Sequence, residues 1–283
     1  METAFTLLVG VRHPLQQAVM GGVSGPELAG AVARAGALGM LWINRDLGTF
    51  EMASDRLRVV DILWSAPDAA LVSRARRSGA ALVGWQVGSL DEALEAVDAG
   101  CDFVVAQGRE AGGHVRGTLP RQELLELVLS RVSVPVITTG GIATAGDVRA
   151  AIAEGAAAVR VGTRFVATDE SNAHPEYVQA LLAATSGDQT ILTTAFGVGW
   201  PDAPHRVLAS AVVAAEQLDG DVVGQVSGPD GPSPVSRFSV VTPSINTVGH
   251  IDAMALYAGT GVGAVTVVLP AAEVVVNLVS QLD

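Results

Sequence analysis

The stretch Val134-Pro-Val-Ile-Thr-Thr-Gly-Gly-Ile-Ala-Thr-Ala-Gly-Asp-Val-Arg-Ala-Ala-Ile-Ala-Glu-Gly-Ala-Ala-Ala-Val-Arg-Val-Gly-Thr-Arg164 decides the architecture. Val134–Thr138 is a β-branched run, broken by Gly140 and Gly141. Thr144 then stands as an N-cap ahead of Thr144–Glu154, where apolar residues recur at helical spacing. Ala158–Val161 is a second strand, closed by Gly162-Thr163-Arg164. In a parallel sheet both glycine loops fall at strand C-termini on one face, where late-strand loops and a helix N-terminus commonly bind phosphate. Glycine admits the phosphate oxygens close to the backbone, and the helix dipole favours the anion. Taken singly, each loop also reads as an ordinary tight turn.

The same rhythm extends in both directions. Strands are predicted at Leu15–Val19, Ala37–Leu41, Val59–Leu63, Ala81–Val87 and Phe103–Ala106, and helices at Gly25–Ala35, Ala69–Ser78, Leu90–Ala99, Arg121–Arg131 and Pro175–Ala184. Strand starts about 20 to 30 residues apart suit a (β/α)8 TIM barrel, and a doubly wound open sheet has the same local signature. The irregular place is Trp42–Arg58, which holds either an eighth strand at Trp42–Arg45 or one shortened unit after strand 2. After Ala184 the pattern changes: a strand at Thr190–Ala195, a helix at Ala203–Ala215, and a turn-rich loop Gly228-Pro-Asp-Gly-Pro-Ser-Pro. Asp252–Tyr257 reads as a helix, Gly259-Thr-Gly-Val-Gly as a loop leading into a strand, and Pro270–Leu282 as a closing helix. The expected division is a barrel from residues 1–190 and 251–283, with 191–250 as an inserted C-terminal covering segment.

Composition narrows the function. The chain has 283 residues, 49% hydrophobic and 16% charged, with 17 basic against 29 acidic side chains and a net charge of −12. That balance argues against nucleic acid as a partner. All the basic residues are arginine, and lysine is absent. Schiff-base, pyridoxal-phosphate and P-loop chemistries, which need an amine, are excluded, and any phosphate must be held by backbone N–H groups, helix N-termini or arginine. A single cysteine, Cys101, cannot make an intrachain disulfide and fits a reducing compartment. Glu2 stands where a signal peptide needs positive charge, and no apolar run reaches the ~18 residues of a spanning helix. A soluble, cytoplasmic protein without membrane contact is expected.

The densest chemical element is Gln107-Gly-Arg-Glu-Ala-Gly-Gly-His-Val-Arg-Gly117, directly after the strand Phe103–Ala106. His114 lies there with little bulk around it, at a strand C-terminus, as a base or acid candidate. His13, His174, His205 and His250 read as caps or solvent contacts, and no pair has metal-ligand spacing, so no metal is expected. There is no Gly-x-Ser-x-Gly elbow, and Cys101 is at the wrong end of its strand for a nucleophile. A bound organic cofactor is the best remaining source of reactivity; flavin mononucleotide fits, and composition does not separate it from a sugar-phosphate substrate. Arg109 and Arg116 flank the histidine and could steer an anion, or could simply pack, while Glu110 is expected to fix the loop.

These residues resemble the FMN-dependent nitronate monooxygenases, formerly called 2-nitropropane dioxygenases. The resemblance is carried by Pro14-Leu-Gln-Gln-Ala-Val-Met-Gly-Gly-Val-Ser, Glu27-Leu-Ala, Ala35-Gly-Ala-Leu-Gly, Gln107-Gly-Arg-Glu-Ala-Gly-Gly-His, Pro135-Val-Ile-Thr-Thr-Gly-Gly-Ile, Val161-Gly-Thr-Arg-Phe-Val-Ala-Thr-Asp-Glu-Ser and Leu256-Tyr-Ala-Gly-Thr-Gly. It implies a TIM barrel with a segment over FMN, and oxidation of alkyl nitronates or nitroalkanes by O2, with His114 as catalytic base or substrate-orienting group. By position, Gly140, Gly141, Gly162 and Thr163 would bind the phosphate; Ala18, Met20, Gln86, Gln107, Gly112, Gly113, Gly259 and Thr260 would lie along the rest of the cofactor. The chain departs from the family pattern after Leu41, in the Val115-Arg-Gly step after His114, and at Thr260. Flavin enoyl reductases using NAD(P)H share the neighbourhood of His114 and form the alternative; a flavin-binding protein without turnover is a third. The partners implied are a small-molecule substrate and O2, with a homodimer contact at the shortened barrel unit.

Overall fold

The computed structural model describes residues 1–44, 49–52, 58–228 and 231–282. Its main sheet contains β1 (Leu15–Gln17), β2 (Met40–Asn44), β3 (Thr49–Met52), β4 (Val59–Ile62), β5 (Leu82–Val87), β6 (Phe103–Gln107), β8 (Val136–Thr139) and β9 (Ala158–Val161); β7 (Gly113–His114) lies outside it. Six strands run parallel in the order β1-β9-β8-β6-β5-β4 and curl into a mixed α/β fold. Helices Ala69–Arg77, Leu90–Asp98, Arg121–Leu129 and Ala145–Ala153 connect them, each near its predicted span. Their starts are fixed locally. Asp68 and Ser89 accept backbone N–H groups as caps, and Thr144 and Asp147 form a capping box.

The regular repeat fails where the sequence is short. β3 is antiparallel to both β2 and β4, so a hairpin stands in place of a β/α unit. The predicted strands at Ala37–Leu41 and Trp42–Arg45 become the single strand β2; Arg45 lies outside the described residues. The far edge of the sheet returns to β1 through a parallel bridge between Gln16 and Leu38, with Leu38 N–H donating to Leu15 O at 2.9 Å and Gln17 N–H to Leu38 O at 2.8 Å.

Alternation along these strands divides the sheet's inner face into two layers, because successive side chains point to opposite faces. At the N-terminal ends Leu38, Met40, Val59, Leu82, Phe103, Val105, Ile137 and Ala158 form one apolar cluster, and Phe5 from the helix Ala4–Val9 closes it edge-on against Phe103 at 6.1 Å. Two residues further along, the inner positions turn polar: Asp61, Gln86, Gln107, Thr139 and Arg160, joined by Gln16, are all buried. Gly84 has no side chain because a Cβ there would meet Asp61 Oδ1 at 2.4 Å and the Phe103 ring at 2.2 Å.

Beyond the sheet, β10 (Thr190–Thr193), β11 (His205–Leu208) and β7 form a small antiparallel sheet, and β12 (Val222–Gly228), β13 (Gly231–Ser236) and β14 (Thr247–Gly249) form another. Four expectations are corrected here, the first being that the loop at Gly259 runs into a 3-10 turn, Thr260–Ala264, and not into a strand. The helix predicted at Ala203–Ala215 is strand β11 followed by the helix Ala209–Gln217, because His205–Leu208 pair across β10. The turn-rich loop is a hairpin whose Pro232 and Pro234 sit on β13, an edge strand that tolerates missing donors; Pro229 and Asp230 lie outside the described residues. The helix predicted at Asp252–Tyr257 shortens to a 3-10 turn, Ile251–Ala253. The closing helix spans Ala271–Val279 and packs on the helices Pro26–Arg34 and Ala145–Ala153. Among the described residues no helix is long and apolar enough to cross a membrane.

Candidate active site

His114 is held by backbone first. Its two-residue strand β7 pairs antiparallel with β11, His114 opposite His205 and Gly113 opposite Arg206. Gly113 turns through φ +76°, with open space where a Cβ would point. The Gln107 side chain closes the loop from the sheet, its Nε2 donating to His114 O at 2.9 Å and its Oε1 accepting Arg116 N–H at 3.2 Å.

Around the His114 ring stand Trp200, stacked at 4.2 Å with planes 25° apart, Trp64 at 5.6 Å, Tyr257 at 5.6 Å and His205 at 5.4 Å. The two histidines differ in their bonding. His205 accepts Phe196 N–H at Nε2, so its Nδ1 carries the proton and donates to Ala203 O at 2.9 Å. It is fully buried on a strand and is neither the cap nor the solvent contact the sequence suggested. His114 bonds to no protein group among the described residues at either nitrogen, and its Nε2 is enclosed. Burial, with a smaller contribution from His205, lowers its pKa from 6.5 to about 4. The imidazole is therefore neutral at pH 7, with a lone pair available.

The glycine loops meet one another. A Cβ on Gly112 would lie 2.5 Å from Gly259 N, and one on Gly141 2.8 Å from Thr260 Oγ1. Gly259 N–H donates to Thr163 Oγ1 at 3.0 Å, and Thr260 N–H to Glu110 O at 2.9 Å. Ala18 N–H donates to Val161 O, and a Cβ on Gly162 would lie 3.4 Å from Ala18 Cβ and 3.9 Å from Met20 Sδ. Gly140 and Gly141 take φ +118° and +71° in succession, a backbone that only glycine adopts easily. The N–H groups of Gly140, Gly141, Gly162 and Thr163 find no acceptor among the described residues. The phosphate candidates and the candidates on the loops after β1, β6 and β9 are thus joined through the segment at Gly259. Gln86 belongs to a different cluster, inside the sheet.

Of the two flanking arginines one is committed: the Arg109 side chain is exposed with no hydrogen bond or ion pair among the described residues, whereas Arg116 is engaged. Arg116 pairs with Glu92, donates to Trp64 O and lies over the Trp64 ring at 5.3 Å, so it braces the aromatic wall and does not stand free to steer an anion. Glu110 accepts Arg121 N–H at 2.9 Å and fixes its loop as expected. Arg164 is buried and donates to Ala167 O. Burial, with a smaller contribution from Asp102, pushes the Cys101 thiol up to about 12, which leaves it inert. No cluster of His, Cys, Asp and Glu among the described residues could hold a metal. Sequence reasoning missed Trp64, Trp200, His205, Asp61 and Arg160. Two signals were available: tryptophan occurs only four times in the chain, and Asp61 and Arg160 put opposite charges in the middle of otherwise apolar strands.

His114, neutral and without a protein partner, stands beside the converging glycine loops and can accept a proton or a hydrogen bond from a bound molecule. The family model described as nitronate monooxygenase matches residues 2–49 and 46–281, and the chain belongs to that family, an oxidoreductase family that uses a flavin. Its two matched segments meet between β2 and β3, where the hairpin replaces a β/α unit. A nitronate monooxygenase of Pseudomonas aeruginosa is 29% identical, covering 100% of this chain and 99% of its own. A (3aS,4S,5R,7aS)-5-hydroxy-7a-methyl-1-oxo-octahydro-1H-indene-4-carboxyl-CoA dehydrogenase of Rhodococcus jostii is 31% identical, covering 86% and 74%. The solved nitroalkane oxidase from Streptomyces ansochromogenes superposes with a TM-score of 0.73 at 26% identity, over 99% of this chain and 98% of that one.

Proposed function

We propose that the protein oxidises alkyl nitronates, or their parent nitroalkanes, with O2, using FMN. The observation that carries this reading is the His114 imidazole, neutral and free of protein partners beside loops suited to a phosphate. The residues fit FMN: four backbone N–H groups lack acceptors at Gly140, Gly141, Gly162 and Thr163, and these would hold the phosphate without an ammonium group. Ala18, Met20, Gln86, Gln107, Gly112, Gly113, Gly259 and Thr260 would hold the remainder. FMN would supply the acceptor for the substrate's electrons and pass them to O2.

The chain's own contribution is acid–base and spatial. With a nitroalkane, His114 takes the α-proton onto an imidazole nitrogen; with a nitronate, already deprotonated, it orients the anion. Trp64 and Trp200 keep water from the imidazole, and Gln107 fixes the loop height. Residues 1–190 and 251–283 would form the barrel-like body of the enzyme, with 191–250 over the cofactor.

The test is a visible absorption spectrum of the purified protein, followed by anaerobic addition of an alkyl nitronate. Bleaching of a bound flavin is expected; an unbleached flavin across a range of nitronates overturns the proposal. The Rhodococcus relative favours a dehydrogenase as the second reading; an NAD(P)H-linked reductase is the other alternative, and rapid bleaching by NADH or NADPH in place of nitronate would select it.

A further inference from the structure

Among the described residues the buried charged side chains are Asp61, Arg160 and Arg164, and two of these lie inside the sheet. Arg160, on β9, commits all three of its nitrogens: Nε donates to Gln16 Oε1 at 2.9 Å, Nη1 to Gln86 Oε1 at 2.9 Å, and Nη2 to Asp61 Oδ2. Gln16 Nε2 also donates to Asp61 Oδ2, at 2.8 Å. Two donors, one of them a guanidinium, converge on Asp61 Oδ2, while Asp61 Oδ1 is buried without a protein partner among the described residues. Burial pushes the Asp61 carboxyl up and the Arg160 guanidinium down, and each charge opposes the other's shift.

The network ends at Gln86. Its carbonyl oxygen is taken by Arg160, so the amide orientation is set, and its NH2 group, which has no protein partner among the described residues, is the end left to a ligand. The order Asp61, Arg160, Gln86 places the cation between the carboxylate and the amide. A guanidinium bonded to an amide oxygen polarises that amide and strengthens the N–H donors at its other end.

We infer that Arg160, braced by Asp61 and Gln16, is a positioning residue that fixes the Gln86 amide with its NH2 group presented to the flavin and makes the flavin easier to reduce. The inference rests on the proposed flavin reading and adds a source of positive potential, the guanidinium bonded to the Gln86 amide, in a chain without lysine.

The experiment is a reductive titration of the FMN-loaded protein against a reference dye, for wild type and for Arg160→Gln, Asp61→Asn, Gln86→Leu and the Arg160→Gln/Gln86→Leu pair. The midpoint potential should fall in Arg160→Gln, which loses the cation, and rise in Asp61→Asn, which leaves it uncompensated. Gln86→Leu should lower it, and adding Arg160→Gln to that variant should change it by less than Arg160→Gln changes wild type. Opposite signs from the two partners of one ion pair are not produced by loosened packing. Potentials that stay at the wild-type value, or move the same way in Arg160→Gln and Asp61→Asn, overturn the inference with the flavin reading intact. Gln86→Leu keeps the ion pair and decides the matter if the charged-pair variants do not fold: an unmoved potential there overturns the inference. A wild-type protein that takes up no flavin overturns both readings together.

Discussion

Arg160 in the polar layer inside the sheet and His114 in the ring cluster at the sheet's C-terminal end are two nitrogen-rich side chains in opposite states. In the layer, Arg160 uses every nitrogen on protein partners, drawing β1, β4, β5 and β9 into one network. In the cluster, His114 uses none, although His205, its direct cross-strand neighbour, uses both. A satisfied buried group contributes order; an unsatisfied one keeps bonding capacity for something that arrives later. The contrast separates what holds this molecule together from what is left to act.

Substitutions should divide along that line. The largest effect is expected at His114: His114→Ala should lower kcat/KM for a nitroalkane by about 10²- to 10⁴-fold, the span of a general base, while leaving thermal stability close to wild type. Oxygen-consumption kinetics with a melting curve would check both, and a large drop in melting temperature would erase the distinction drawn above. Asp61→Ala should do the reverse in kind, costing about 3–5 kcal/mol in chemical denaturation because it strands a buried guanidinium. A stability cost under about 1 kcal/mol there would mean that water reaches the layer.

Acid tests the cluster through its imidazole. His114 has a folded pKa of about 4 against 6.5 when exposed, so the unfolded chain binds the extra proton first. Its contribution to stability is present above pH 6.5 and is lost as pH falls from there toward 4, and the acid limb of kcat/KM for a nitroalkane should lie near 4. An acid limb near 6.5 would place the proton acceptor elsewhere. The smallest effect belongs to Arg116→Gln, whose partly exposed pair with Glu92 is worth about 1 kcal/mol or less. With its guanidinium already engaged, this variant should keep the wild-type salt dependence of kcat/KM; a flattened salt dependence would restore Arg116 as a steering group.

Short apolar, β-branched runs made the parallel strands legible, because Val59, Leu82, Phe103, Val136 and Ala158 open strands that are buried along their whole length. The glycine loops were legible for the same reason, since positive φ at Gly140 and Gly141 demands a residue that sequence displays openly. What escaped depends on partners far along the chain. His205–Leu208 looks helical until β10 and β7 are beside it, and Trp200 declares nothing until its ring lies on His114. The hairpin in place of a β/α unit was visible only as a shortage of residues between Trp42 and Arg58.

The ladder between β7 and β11 has a mechanical meaning. The strand that carries His114 takes its neighbour from β11, so a shift of β11 carries the backbone of the histidine with it. β11 cannot lift away like a hinged lid while the base stays in place, because raising it would unzip the backbone that aims the imidazole. Uncovering the imidazole face with β11 in place requires Trp200, which rests flat on the ring, to turn its own side chain.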